Sequence, residues 1–216
     1  HVIPALGSPA AVQAFKWGLG AILILPQSVL LGMTFPLLTA GVVRVRPERS
    51  GHAIAVLYFT NSFGAGVGVL ASGFYFIPQA GLPGTLIASG IINLAVAAAV
   101  ILLPRKSVFA SVVPVPEPST LPGAQAAARL KLLLAVAALT GAASFIYEIG
   151  WIRMLSLVLG SSTHAFEIML SAFILGLAFG GLWVRKRADS ARDTVRFLAG
   201  VQLAKGIAAL ATLPVY

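Results

Sequence analysis

From Ser50 to Pro104 the chain carries no charged side chain apart from the weak base His52. A run of that length fits one medium, the hydrocarbon of a lipid bilayer. The remainder follows the same plan, with 58% apolar and 10% charged residues overall and a mean hydropathy of +0.95. A water-soluble domain needs roughly 25% charged residues to cover its surface. Backbone polar groups must be satisfied internally in lipid, so the spans are helices. The expected fold is therefore all-α, a polytopic transmembrane helical bundle.

A helix needs about 20 mostly apolar residues to cross roughly 30 Å of hydrocarbon. Six stretches meet or approach that length: Trp17–Val43, Ala53–Ile77, Gly84–Leu103, Leu130–Gly150, Thr163–Val184, and Phe197 to the last residue. Pro26 and Pro36 should kink or split the first. The run Pro78-Gln79-Ala80-Gly81-Leu82-Pro83 predicts a tight uncharged turn between the second and third. Residues 104–130 hold Pro104, Pro114, Pro116, Pro118 and Pro122 with little periodicity, the composition of a linker. The expected organisation is three spans in 1–103, a proline-rich linker over 104–130, and three spans in 131–216.

Most of the fifteen basic residues lie at the ends of these runs. Arg44, Arg46 and Arg49 follow the first span; Arg105, Lys106, Arg129 and Lys131 flank the linker; Arg185, Lys186, Arg187, Arg192 and Arg196 follow the fifth. With six alternating spans these connectors share one side, and the excess of Lys and Arg marks that side as cytoplasmic. Loops 44–52 and 185–196 and the linker are thus expected in the cytoplasm of a multi-pass cell-membrane protein, with a bacterial inner membrane the expected location. Basic residues dispersed over span ends do not form a nucleic-acid footprint, so lipid is the expected partner and nucleic acid is not.

No cysteine is present, so neither a disulfide framework nor a thiolate metal site arises. His1 stands where an initiator Met would, and the chain stops within an apolar run at Leu213-Pro214-Val215-Tyr216, which reads as a piece of a longer protein.

Packing in lipid relies on small residues that let backbones approach. Gly64, Gly68 and Ser72, and likewise Ala172, Gly176 and Gly180, repeat at four-residue spacing and predict helix contact faces. The Gly64-Gly66-Gly68 cluster is not a dinucleotide loop, because the third glycine of such a motif would fall at Val69 and no acidic ribose partner follows. Ionisable residues within spans are costly, on the order of 3 kcal/mol at the bilayer centre, and should face the bundle. Glu148 shares a helical face with Ser144 and Gly141 and is followed by Arg153. His164, Glu167 and Ser171 form a second stripe, and Gln202, Lys205 and Thr212 a third, which suggests one shared interior. The candidate intramembrane polar site is Glu148, Arg153, His164, Glu167 and Lys205. These residues either line a substrate or proton path or form structural ion pairs, Glu148 with Arg153 and Glu167 with Lys205.

The run Tyr147-Glu148-Ile149-Gly150-Trp151-Ile152-Arg153-Met154-Leu155, continuing through Leu159-Gly160-Ser161-Ser162-Thr163 and Ala172-Phe173-Ile174-Leu175-Gly176, resembles the opening of the membrane domain of transmembrane spermidine synthase-like proteins. Upstream, Leu31-Gly32-Met33-Thr34-Phe35-Pro36-Leu37-Leu38 and Tyr58-Phe59-Thr60-Asn61-Ser62-Phe63-Gly64-Ala65 resemble later helices of that domain. The order is reversed across the linker, as the end of one membrane repeat followed by the start of a second would produce.

The resemblance implies a membrane region, compared in that family with major facilitator transporters, joined to a soluble Rossmann-like domain similar to polyamine aminopropyltransferases. Those enzymes move an aminopropyl group from decarboxylated S-adenosylmethionine to putrescine, which takes a nucleoside loop and several carboxylates. Here Glu48, Glu117, Asp189 and Asp193 sit in basic connectors, leaving only Glu148 and Glu167 in spans. No catalytic residue, cofactor or metal site is therefore expected within this stretch. It is expected to anchor or serve a cytoplasmic catalytic domain of the same protein, with polyamine as a partner. The alternative is part of a secondary transporter for a cationic or other small solute.

Overall fold

The protein is described by a computed structural model over residues 8–45, 47–102, 123–160, 163–185, 187 and 193–212. Among these residues there is no strand. The helices are α1 (Pro9–Val45), α2 (Ser50–Ala71), α3 (Ile77–Leu102), α4 (Gly123–Leu159), α5 (Thr163–Val184) and α6 (Thr194–Ala211), with a short 3-10 turn at Pro47–Arg49 and a π-helical turn at Ser72–Phe76. Five stretches are long and apolar enough to cross a membrane: Pro9–Arg44, Ser50–Leu102, Leu130–Val158, Thr163–Val184 and Thr194–Ala211. The chain is thus an all-α, multi-span helical protein.

The second stretch is 53 residues long, about 80 Å of helix at 1.5 Å per residue, against roughly 30 Å of hydrocarbon. It is broken at Gly81, whose φ of 65° and ψ of −178° belong to a region open only to glycine. Pro83 follows within the same stretch, and the Thr85 hydroxyl donates to the Gly81 carbonyl at 2.8 Å, taking up an acceptor that the break exposes. The turn expected at 78–83 is therefore a single non-helical residue inside an otherwise helical run. Dividing the run there yields two lengths suited to spanning.

Of the two outcomes expected at Pro26 and Pro36, splitting does not occur: α1 is one helix of 37 residues, in which each proline removes one backbone donor. Helix α4 starts at Gly123, in a stretch rich in alanine, the best helix former, and its span-like part begins at Leu130. The rest of the linker, with Arg105 and Lys106, lies outside the described residues, as do Arg46, Lys186, Arg192 and the last four residues.

The most extensive packing is α2 against α5, joining one expected three-span group to the other. Phe59 meets Phe179 near one end of the pair and Phe74 stacks on His164 near the other, so the helices are antiparallel. Helix α1 lies on α2 through an edge-to-face contact of Phe35 with Tyr58. Helices α4 and α5 form a hairpin through Gly160, at φ 77°, with Trp151 on Phe173.

Among the described residues, the buried side chains are small, Ala55, Ala165, Ala178, Ser62 and Ser171, with Met169 the one long exception. The large apolar side chains point outward, Trp17 at 73% exposure and Leu94 at 72%. Water would penalise that arrangement by about 1.5–3 kcal/mol for each such side chain. Lipid does not, and it leaves close approach of small residues as the means of holding helices together.

Candidate intramembrane polar site

The α2–α5 seam is built where backbones come closest. A β-carbon on Gly66 would lie 2.9 Å from Leu175, and one on Gly181 would lie 2.7 Å from the Tyr58 ring. The Ser171 hydroxyl, 2% exposed, donates to the Gly66 carbonyl at 3.1 Å. A β-carbon on Gly64, Gly68, Gly176 or Gly180 would meet open space. The contact face is thus not the expected Gly64-Gly68-Ser72 and Ala172-Gly176-Gly180 pair; it is Ala55, Ser62, Gly66 and Gly73 on α2 and its π turn, against Ser171, Leu175, Ala178 and Gly181 on α5. Moving from Gly64 to Gly66 rotates by about 200°, to the opposite side of the helix. Ser62 and Gly66 are themselves four apart, so α2 contains two small-residue registers. Only one of them is used.

At the far end of this seam, His164 Nδ1 and Glu167 Oε2 are 3.0 Å apart, and the Glu167 side chain is only 14% exposed. The Glu167 carboxylate fills the place where a Gly73 side chain would sit. His164 stacks on Phe74, with ring centroids 4.8 Å apart. Both Gly73 and Phe74 belong to the π turn, in which the Ile77 amide donates to the Ser72 carbonyl five residues back. Such turns are concentrated at functional sites and displace the following residues around the helix axis. The expected stripe His164-Glu167-Ser171 is therefore present, all of it turned toward α2.

A second polar cluster joins α4 to α6. Lys205 Nζ donates to Ser144 Oγ at 2.9 Å, and Ser144 Oγ donates to the Thr140 carbonyl at 2.8 Å. Gln202 Nε2 donates to Thr140 Oγ1, and Lys205 also lies over the Tyr147 ring, 5.6 Å from its centroid. Thr212, the third residue of the expected stripe, instead caps the end of α6 by donating to the Ala209 carbonyl. Residue numbers rise together along these contacts, so α4 and α6 run parallel.

The three stripes thus serve two separate seams, where one shared interior was expected. Neither expected ion pair forms among the described residues: Glu167 pairs with His164, Lys205 bonds a hydroxyl, and Glu148 and Arg153 are not paired with each other. Glu148 is half-buried on α4, one turn beyond Ser144, and Arg153 is exposed. The described residues hold no group of three or more His, Asp or Glu side chains spaced for a metal ion.

These directions also place the charged ends. Because α2 is antiparallel to both α1 and α5, Arg44, Arg49, Arg185 and Arg187 lie at one end of the assembly. The hairpin of α4 with α5 and the stacking of Trp183 on Phe197 bring Lys131 and Arg196 to that same end. Asp193 there accepts from the Arg196 amide at 3.0 Å and caps α6. Arg153 and the His164–Glu167 pair lie toward the other end.

Comparison with protein-family models, with curated proteins and with solved structures finds no match.

Proposed function

We propose that this chain is the membrane region of a spermidine synthase-like protein, holding an aminopropyltransferase-like domain outside this stretch against the cytoplasmic face of a bacterial inner membrane. The observation that carries the reading is the gathering of Arg44, Arg49, Lys131, Arg185, Arg187 and Arg196 at one end of an apolar helical assembly. An anchor needs such a face, and a basic end is retained on the cytoplasmic side. The motif behind the resemblance adds support: Tyr147 and Trp151 stack with centroids 6.1 Å apart, Trp151 meets Phe173, and Tyr147 lies beneath Lys205. The Tyr-Glu-x-x-Trp-x-Arg segment is thus where three helices are tied together.

A second reading, a secondary transporter for a cationic solute, is favoured by the helix interruption at Ser72–Phe76 beside the His164–Glu167 pair and by the further break at Gly81. Broken helices next to ionisable groups build the midplane sites of such proteins. One experiment separates the two. Spermidine uptake into proteoliposomes is measured for the parent and for Glu148→Gln and Glu167→Gln. The anchor reading expects no uptake by any of them; uptake by the parent, abolished in the variants, would replace it with the transporter reading.

A further inference from the structure

A groove of about 390 Å³ lies between the end of α1 and the start of α2. Arg49 and His52 stand at its rim, and Val42, Ala53, Val56 and Leu57 form its wall. Thr60 lies at the inner end, its hydroxyl occupied by donation to the Val56 carbonyl at 3.0 Å.

A guanidinium at one end and hydrocarbon along the rest match an amphiphile with an anionic head. From His52 to Thr60 the groove follows α2 for about 12 Å, close to the roughly 15 Å depth of one leaflet. Its rim is at the basic end of the assembly, beside Arg44 and Arg49. Arg44 closes the last turn of α1 beside it, and among the described residues neither Arg44 nor Arg49 forms an ion pair. Arginine suits a phosphate diester because its planar fork of donors matches the oxygens in pairs. A free phosphate would pair with Arg49 and leave the wall uncovered, whereas a zwitterionic lipid would bring its own cation against Arg49.

We infer that this groove is a binding site for an anionic phospholipid, with the headgroup phosphate at Arg49 and one acyl chain along Val42, Ala53, Val56 and Leu57. Basic pockets between spans bind lipid headgroups through this combination of charge and shape.

The test is native mass spectrometry of the full chain in detergent, titrated with phosphatidylglycerol, with phosphatidylcholine, or with phosphatidylglycerol plus inorganic phosphate. Phosphatidylglycerol is expected to be retained in preference to phosphatidylcholine and not to be displaced by phosphate. Arg49→Gln should weaken retention about fivefold, the worth of one basic residue at a membrane surface. Ala53→Trp fills the groove without touching the charge and should abolish retention, while Arg153→Gln, at the other end, should leave it unchanged. Equal retention of the two lipids, displacement by phosphate, or undiminished retention in both Arg49→Gln and Ala53→Trp would overturn the assignment.

Discussion

The carboxylate of Glu167 occupies the space that a side chain on Gly73 would need. An acid in a membrane helix is thereby packed against the backbone of a π turn and joined to His164. Gly73→Ala should therefore destabilise the protein by about 1–3 kcal/mol, the usual range for overpacking a tight contact. In a Glu167→Ala background the same change should cost much less, because the group it displaces is gone. Thermal unfolding of the four proteins in detergent closes the cycle. Additive effects would show that the two residues do not meet.

The seam between α2 and α5 makes a prediction about register. Gly66→Ala and Gly181→Ala should each lower stability by about 1–3 kcal/mol, since Leu175 and Tyr58 must yield. Gly64→Ala, Gly68→Ala and Gly176→Ala, facing open space, should be neutral or slightly stabilising, as alanine favours a helix interior. Thermal unfolding of the set decides which face is in use, and the reverse pattern would restore the register that spacing alone suggests.

The polar seam between α4 and α6 should behave differently. Ser144→Ala removes the acceptor of Lys205 and should cost about 1 kcal/mol, the usual scale for hydrogen bonds between spans. Lys205→Met removes the charge itself and is expected to leave stability unchanged or raised, because a part-buried cation must be held by its partners. Loss of stability in Lys205→Met greater than in Ser144→Ala would show that the ammonium contributes more than its bond to Ser144.

These distinctions mark how far the amino-acid order could be read. Span positions were legible because charge exclusion is a property of each segment alone; α5 has the bounds Thr163–Val184 that its apolar run suggests. The stripe His164-Glu167-Ser171 was legible for the same reason, since helical spacing is local. The partners were not. That Glu167 meets Gly73 and Lys205 meets Ser144 depends on how separate helices dock, and α2 offers small residues in two registers. The continuity of α1 through Pro26 and Pro36 was equally hidden, because proline weakens a helix without dictating that it ends.

Gly81 carries the backbone strain of the longest apolar stretch. Gly81→Ala should cost about 1–3 kcal/mol, since the pairing of φ 65° with ψ −178° is essentially confined to glycine. Gly90→Ala, in the helical part of α3 with nothing within 4 Å, should be neutral or stabilising. Comparison of the two by thermal unfolding isolates the break at Gly81 from helix propensity.

In the proposed topology a single basic end faces one side of the membrane, and the absence of cysteine from the sequence makes that directly measurable. Single-cysteine variants Glu48→Cys, Arg187→Cys and Val158→Cys, in sealed vesicles of known orientation, are treated with a membrane-impermeant maleimide. The account predicts that positions 48 and 187 react from the cytoplasmic side and position 158 only from the opposite side. Labelling of positions 48 and 187 from opposite sides, or of position 158 together with both, would contradict it.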